Sequence, residues 1–143
     1  MSVDTSVTIG NVEFSNPVFV ASGTFGYGVE TDELVDVNRL GAIVTKSITP
    51  QPREGNPPPR MVETPSGMIN SIGLANIGVE RYIGEMLPLY ESFKTKIITN
   101  IAGFSVSDYA EVMENLEQAD GSICAYEINI SCPNVEGGKM EFA

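Results

Sequence analysis

The sequence contains no histidine and no tryptophan, and it has only two cysteines, Cys124 and Cys132. Without histidine, Ser-His-Asp catalysis and histidine-rich zinc sites are excluded, because both need an imidazole. Any proton transfer has to use a cysteine, lysine, tyrosine or carboxylate side chain. Since the start of the chain carries no export signal, a disulfide is not expected and we predict two free thiols.

Positive charge is also scarce, with 8 Lys and Arg residues against 19 Asp and Glu residues and a formal net charge of −11. No basic stripe can form to neutralise a phosphate backbone, so a nucleic-acid partner is not expected. Apolar runs long enough to cross a membrane are absent, and the sequence does not start like a signal peptide. The composition therefore predicts a cytoplasmic protein without a membrane partner.

The length of 143 residues suits one compact domain, and we treat residues 1–143 as a single unit. Short apolar runs, each followed by small or polar residues, predict buried parallel strands at residues 18–21, 42–45, 96–101 and 123–130. Helices are predicted at residues 32–39, at residues 79–93 with an interruption near Pro88, and after Ser105 or Ser107. This alternation indicates an α/β fold built from parallel βαβ units.

Two hairpins are predicted outside these units. Alternating residues on each side of Gly10 and Asn11 predict an N-terminal β-hairpin over residues 7–14. Five prolines keep residues 49–60 out of helix and central strand. The alternating segments 61–64 and 68–71 that follow predict an ordered hairpin above a site.

Polar side chains gather where the four predicted strands end. They are Ser22, Lys46, Ser47, Asn100, Asn129, Cys132 and Asn134. Parallel α/β folds place their sites at this carboxyl edge. One ammonium among several amides suits a planar, hydrogen-bonding, weakly anionic molecule, and the scarcity of carboxylates predicts no metal site. Taken singly, however, Lys46 also fits a solvent-facing residue, and each asparagine also fits a turn.

Cys132 follows the last predicted strand and precedes a proline, in a segment that ends at Gly137 and Gly138. A thiolate at such a position can act as a base without an imidazole. A structural role for Cys132 also stays open on position alone. Cys124, at the start of the same strand, is expected to pack inside as a small apolar residue.

Six blocks of the sequence resemble the class 1 dihydroorotate dehydrogenases, in order and over nearly the whole chain. They are residues 21–26 (ASGTFG), 45–47 (TKS), 52–57 (PREGNP), 66–74 (SGMINSIGL), 100–103 (NIAG) and 127–134 (EINISCPN). The resemblance implies a (β/α)8 TIM barrel with FMN at its carboxyl face, and oxidation of dihydroorotate to orotate in pyrimidine (UMP) biosynthesis. A complete barrel takes roughly 250 residues, so we expect the N-terminal half of one, with the hairpin in front of it.

The same resemblance implies roles for individual residues. Cys132 falls on the family's active-site base. The residues implied to contact the flavin are Ser22, Lys46, Ser47, Asn100 and Asn129. The residues implied to surround the substrate are Lys46, Asn70, Ser71, Ile72, Gly73, Leu74, Asn129 and Asn134.

The resemblance is strongest to the NAD-linked branch of the family, through residues 24–28 and the block that begins at Ser66. This branch implies a partner subunit that carries FAD and an iron–sulfur cluster. The C-terminal half of the barrel and a homodimer are further expected partners, and the chain alone is expected to bind FMN weakly and to have no turnover. Two other functions stay open: a non-catalytic half-barrel that binds or dimerises, and a related flavin-dependent dihydropyrimidine oxidoreductase.

Overall fold

Parallel strands that follow one another in chain order form the central sheet. The computed structural model describes residues 3–31, 34–119 and 121–131. Its strands are β1 (Val7–Ile9), β2 (Val12–Phe14), β3 (Phe19–Val20), β4 (Ala42–Val44), β5 (Met61–Thr64), β6 (Gly67–Asn70), β7 (Lys96–Ala102) and β8 (Ile123–Asn129). The sheet has the order β3-β4-β7-β8, and each strand pairs in parallel with the next. The predicted α/β arrangement of four parallel strands is confirmed.

The middle of this sheet is buried on both faces. Every residue of β4 is buried, and so are Ile97 and Ile101 of β7. The unbroken apolar sequence of β4 is what burial on two faces requires. β3 is only half-buried, which corrects the expectation of a fully buried strand over residues 18–21. It is two residues long, and among the described residues its one neighbour in the sheet is β4.

A helical run follows β6 and contributes to the core. It passes from α1 (Val79–Arg81) through a π-helical segment (Tyr82–Met86) to α2 (Leu87–Tyr90). The interruption predicted near Pro88 lies one turn earlier, where the N–H of Leu87 donates to the carbonyl of Tyr82, five residues back. Because Pro88 has no N–H and its ring crowds the preceding turn, a regular α-helix cannot continue through this point.

The last helix, α3 (Val106–Gln118), begins at Ser105, whose hydroxyl accepts a hydrogen bond from the N–H of Asp108. Ser105 is one of the two caps that the sequence predicts. Val112 and Leu116 are buried in the core and Met113 packs beside them, so the apolar residues of α3 form a stripe at helical spacing. No helix in the described part of the chain is long and apolar enough to cross a membrane.

Both predicted hairpins are present, as the antiparallel pairs β1–β2 and β5–β6. The proline-rich residues 49–60 form an ordered loop that is hydrogen-bonded to the segment after β6. Arg53 and Asn76 exchange two backbone bonds of 2.9 Å, and the N–H of Asn56 donates to the carbonyl of Ile72 at 3.0 Å. The loop therefore supports residues 71–76 from behind their backbone.

Residues 34–39 do not form the helix that the sequence predicts over residues 32–39. Helical structure there is limited to one 3-10 turn, Val37–Arg39, while Asp32 and Glu33 lie outside the described residues. The carboxylate of Asp36 accepts a hydrogen bond from the N–H of Asn38, so the turn begins at Asp36. Such a local side-chain bond competes with a continuing helix.

Candidate active site

A cavity of about 240 Å³ lies at the carboxyl edge of the sheet. Its walls come from the residues after β3 and β4, from the segment after β6 and from the end of β8. The lining residues are Ser22, Gly23, Lys46, Ser47, Asn70, Ile72, Gly73, Leu74, Ala75 and Asn129. Parallel α/β folds bind their ligands at this edge, which makes the cavity the candidate site.

Every lining residue except Gly23 and Ala75 is among the site residues predicted from the sequence. The two that were missed are chain neighbours of predicted residues. Gly23 follows Ser22 within the block 21–26, and Ala75 directly follows the block 66–74. In the sequence, the one indication that these two residues belong to the site is that each lies next to a predicted site residue.

Ser71, predicted to contact the substrate, does not line the cavity. It is exposed, and its carbonyl and hydroxyl oxygens accept hydrogen bonds from the side-chain amide of Asn56 at 3.2 and 3.0 Å. Its N–H donates to the carbonyl of Arg60 at 2.8 Å. Ser71 therefore ties the cavity segment to the proline-rich loop. Two further predicted residues, Cys132 and Asn134, lie outside the described residues.

Asn100, predicted to contact the flavin, is buried in β7 and is not part of the cavity lining. Its amide nitrogen donates to Glu127, a residue that the sequence did not assign to the site. Its side-chain oxygen Oδ1 is buried and has no hydrogen-bond partner among the described residues. A buried amide oxygen without a partner is unfavourable. Asn100 thus offers an acceptor that a bound donor would satisfy.

Asn129, at the end of β8, is hydrogen-bonded to Ser47, to Ser131 and to Tyr109 of α3. Its Nδ2 donates to the hydroxyl of Ser47 at 3.1 Å, and its Oδ1 accepts from the N–H of Ser131 at 3.2 Å. The hydroxyl of Tyr109, on α3, donates to the carbonyl of Asn129 at 2.6 Å. These bonds fix both the backbone and the amide of Asn129 at the cavity wall.

Lys46 is the charged residue of the cavity. The residue is half-buried. Its backbone N–H donates to the carbonyl of Gly26 at 2.8 Å, and this bond joins the end of β4 to the glycine-rich loop after β3. The other described lining residues carry amides, hydroxyls, apolar groups or no side chain. An anion is attracted to such a wall at Lys46, and a planar polar ring finds donors and acceptors beside it.

Buried tyrosines hold the glycine-rich loop in place. The hydroxyl of Tyr90 donates to the carbonyl of Tyr27 at 2.7 Å, and the hydroxyl of Tyr27 accepts from the N–H of Ile77 at 3.3 Å. Burial raises the pKa of Tyr27 to about 12, so this phenol stays neutral near pH 7. The same physical cause raises the pKa of the Cys124 thiol, which is half-buried and free.

In the part of the chain that the structure describes, no group of three or more Cys, Asp or Glu residues could hold a metal ion.

Comparison with known proteins assigns the chain to a family. The family model described as dihydroorotate dehydrogenase matches residues 5–143. The chain belongs to the dihydroorotate dehydrogenase family. Membership of the dihydroorotate dehydrogenases implies a flavin cofactor.

Two relatives show how much of a dihydroorotate dehydrogenase the chain represents. The catalytic subunit of dihydroorotate dehydrogenase B (NAD(+)) from Desulforamulus reducens is 51% identical over 142 residues, which are 99% of this chain and 46% of the relative. The putative dihydroorotate dehydrogenase A (fumarate) of Aquifex aeolicus is 51% identical over 140 residues, which are 98% of this chain and 45% of the relative. The chain spans about half the length of the curated relatives it matches.

A solved structure is similar in fold. The crystal structure of the Eimeria tenella dihydroorotate dehydrogenase in complex with ferulenol matches with a TM-score of 0.71 and 23% sequence identity, over 94% of this chain and 38% of that one. Together with the strand order, this match confirms the predicted fold as the N-terminal half of the dihydroorotate dehydrogenase TIM barrel.

Proposed function

We propose that the chain provides the N-terminal half of the active site of an FMN-dependent dihydroorotate dehydrogenase, which oxidises dihydroorotate to orotate in pyrimidine biosynthesis. The observation that carries the proposal is the cavity, where residues as distant in sequence as Ser22, Lys46, Asn70 and Asn129 meet on one polar wall. The names of the relatives, all dihydroorotate dehydrogenases, support the choice of reaction.

The side chains at the cavity suit a flavin ring. The edge of that ring presents carbonyl oxygens and an imide N–H, which need donors and an acceptor respectively. Donors are available from Lys46 and Ser47 in the lining. Outside the lining, the buried Oδ1 of Asn100 has no partner among the described residues and is an acceptor for an N–H. We assign Ser22, Lys46, Ser47, Asn100 and Asn129 to FMN, whose chemistry when bound is to accept the hydride that leaves C6 of dihydroorotate.

The substrate side of the cavity suits a small cyclic anion. The ammonium of Lys46 pairs with the carboxylate, and its three N–H donors allow it to contact the flavin as well. The amides of Asn70 and Asn129 serve the polar edges of the pyrimidine ring, and Ile72, Gly73 and Leu74 complete the wall. Asn134 is assigned to the substrate from its place in the block 127–134.

Cys132 is the proposed catalytic base, assigned from the same block. Its thiolate takes the proton from C5 of dihydroorotate, and the electron pair of the broken C5–H bond forms the C5–C6 double bond as the hydride departs from C6. Loss of one proton and one hydride balances the oxidation to orotate. A cysteine suits this task because the chain has no imidazole to offer.

The test uses the complete protein, meaning this sequence continued by the C-terminal half that its relatives have. Anaerobic mixing with dihydroorotate should bleach the flavin absorbance. Lys46→Met should weaken orotate binding about ten- to a hundredfold, because a charge-assisted hydrogen bond is lost. Lys96→Met is the matched control, since Lys96 is exposed at the opposite end of β7 and should leave binding unchanged.

Two results would contradict the assignment of substrate. One is orotate binding that does not depend on Lys46. The other is reduction of the flavin by dihydrouracil, which lacks the carboxylate, at the same rate as by dihydroorotate. The second result favours the related dihydropyrimidine oxidoreductase, and a defined dimer of the complete protein without flavin favours a non-catalytic module.

The base is tested separately. Cys132→Ala should slow reduction of the flavin by about a hundredfold or more, the usual contribution of a general base. The FMN content of the variant should stay at the wild-type level. Reduction that is equally fast in the variant would show that another group takes the proton.

We extend the proposal to the assembly. The Desulforamulus reducens relative is named as a catalytic subunit of an NAD(+) enzyme, which supports a second kind of subunit in the complex. We propose that the complete protein forms a homodimer and that the second subunit transfers electrons through FAD and an iron–sulfur cluster. Native mass spectrometry of the complete protein, coexpressed with such a subunit, should show the two proteins in one complex. A monomer that reduces fumarate directly would contradict this assembly.

A further inference from the structure

The cavity wall contains a strained residue, Leu74. It has a φ of 57°, and it is the one non-glycine residue among those described with a positive φ. Leucine disfavours this left-handed conformation, so contacts around it have to hold it there. Leu74 lines the cavity together with Gly73, whose φ is 77°. The backbone conformation of these two residues therefore determines where the wall lies.

Asn76 holds Leu74 from outside the cavity. Its side-chain Nδ2 donates to the carbonyl of Leu74 at 2.9 Å. Asn76 is only 7% exposed and is not a lining residue. Its own backbone is fixed by the pair of 2.9 Å hydrogen bonds with Arg53. The amide thus acts on the cavity wall from a rigid position.

The other bonds of this amide run to the segment after β4 and to Gly78. Its Oδ1 accepts from the N–H of Thr49 at 3.2 Å and from the N–H of Gly78 at 2.9 Å. The single proton of the Thr49 hydroxyl is donated to the carbonyl of Gln51 at 2.6 Å, so this hydroxyl accepts from Nδ2 at 3.0 Å. All four hydrogen-bonding positions of the Asn76 amide are used. A flipped amide would point its NH₂ group at the N–H groups of Thr49 and Gly78, and no hydrogen bond can form between two donors.

We infer that Asn76 is a positioning residue for the substrate. Its amide keeps Leu74 in the left-handed conformation and thereby fixes the wall formed by Ile72, Gly73 and Leu74. The inference rests on the proposed function, which assigns this wall to dihydroorotate and orotate. Without the bond to Leu74, the ligand has to order the wall when it binds, and part of the binding free energy is lost.

Three variants of the complete protein separate this role from general stability. Asn76→Asp keeps an oxygen toward Thr49 and Gly78 but turns its second oxygen toward the carbonyl of Leu74. Asn76→Ser can keep a bond to the N–H of Gly78, two residues on, and loses the bond to Leu74. Thr49→Val removes a hydroxyl contact of Asn76 and leaves the bond to Leu74 in place.

The readout is the dissociation constant for orotate at about pH 8 and about pH 6, with the FMN content and the unfolding temperature of each variant. Burial raises the pKa of a carboxyl group, and once protonated the carboxyl that Asn76→Asp introduces can again donate to Leu74. The charged residue paired with Asn76 is Arg53, which contacts it through backbone hydrogen bonds. The pH response of Asn76→Asp is therefore a signature that a merely destabilised protein lacks.

Asn76→Asp should weaken orotate binding about tenfold at the higher pH and by clearly less at the lower pH. Asn76→Ser should weaken orotate binding by a similar factor at both pH values. Thr49→Val should lower the unfolding temperature with orotate binding within about twofold of wild type.

Unchanged orotate binding in Asn76→Ser, or an equal loss in Thr49→Val, overturns the inference while the proposed function stands. If Asn76→Asp does not fold, the comparison of Asn76→Ser with Thr49→Val decides by the same criteria. Wild-type protein that does not bind orotate overturns the proposed function and this inference with it.

Discussion

The side-chain amide of Asn129 donates a 3.1 Å hydrogen bond to the hydroxyl of Ser47, 82 residues earlier in the chain. The two residues belong to strand ends that are not neighbours, because β7 lies between β4 and β8 in the sheet. The bond therefore passes across the end of β7. It makes the polar wall of the cavity continuous over three strands.

Ser47→Ala removes the acceptor of this bond. Loss of one hydrogen bond at a largely buried position should lower the free energy of unfolding by about 1 kcal/mol and should weaken retention of flavin by the complete protein. Thermal unfolding and flavin absorbance after gel filtration measure the two effects. Ser22→Ala is the control for the unfolding temperature alone, since Ser22 lines the same cavity outside this bond. Equal unfolding temperatures for the two variants would argue against a bridging role for Ser47.

Gly73 and Gly23 both line the cavity, but only Gly73 is confined. A Cβ added at Gly73 would lie 2.6 Å from the side chain of Asn56, and its φ of 77° is unfavourable for alanine. A Cβ added at Gly23 would meet nothing within 4 Å. Gly73→Ala should therefore lower stability by about 1 to 3 kcal/mol, while Gly23→Ala should leave it nearly unchanged. Urea unfolding of the pair checks this, and similar midpoints would contradict it.

Tyr90 stabilises the glycine-rich loop through a buried hydrogen bond to the backbone of Tyr27. Tyr90→Phe leaves the carbonyl of Tyr27 without its 2.7 Å donor, which should cost about 1 to 3 kcal/mol of unfolding free energy. Tyr126→Phe removes a comparable 2.8 Å bond to Glu117 at an exposed position and should cost less. Calorimetry on the two variants would refute the prediction if Tyr126→Phe were the less stable.

Asp108 makes the start of α3 sensitive to pH. The N–H of Phe104 and the hydroxyl of Ser105, each 2.7 Å away, hold the pKa of this carboxyl below its ordinary value. The ionised carboxylate therefore stabilises the folded state above the unfolded pKa, and this contribution is lost as the pH falls through the folded pKa.

Asp108→Asn should accordingly be less stable than wild type at neutral pH, by about 0.5 kcal/mol because solvent screens the site. The difference should shrink toward zero at about pH 3. Urea unfolding at the two pH values measures it. A difference that stays constant between them would mean that the charge of Asp108 does not contribute.

The strands and most of the cavity could be predicted from local sequence. β4 is an unbroken apolar run that ends at Lys46 and Ser47, and the topology of parallel strands then determines which edge these side chains share. Ser71 could not be separated from Ile72 in this way. The two residues are adjacent, and the hydrogen bonds that tie Ser71 to the proline-rich loop, while Ile72 lines the cavity, are seen only in the structure.

Asn76 could not be predicted because its contacts are distant in sequence. An asparagine two residues before a glycine is typical of a turn, whereas its partner Thr49 lies 27 residues earlier. The 3-10 turn at Val37–Arg39 was missed for the opposite reason. There a local hydrogen bond to the side chain of Asp36 competes with the helix that the sequence predicts.

The order of the strands in the sheet has a consequence for synthesis of the protein. Because β3, β4, β7 and β8 are neighbours in the order in which they occur in the chain, each new strand finds its partner already made. A ribosome that has reached residue 131 has therefore produced every described residue that lines the cavity. The cavity wall can therefore assemble strand by strand, in the order in which its strands are synthesised.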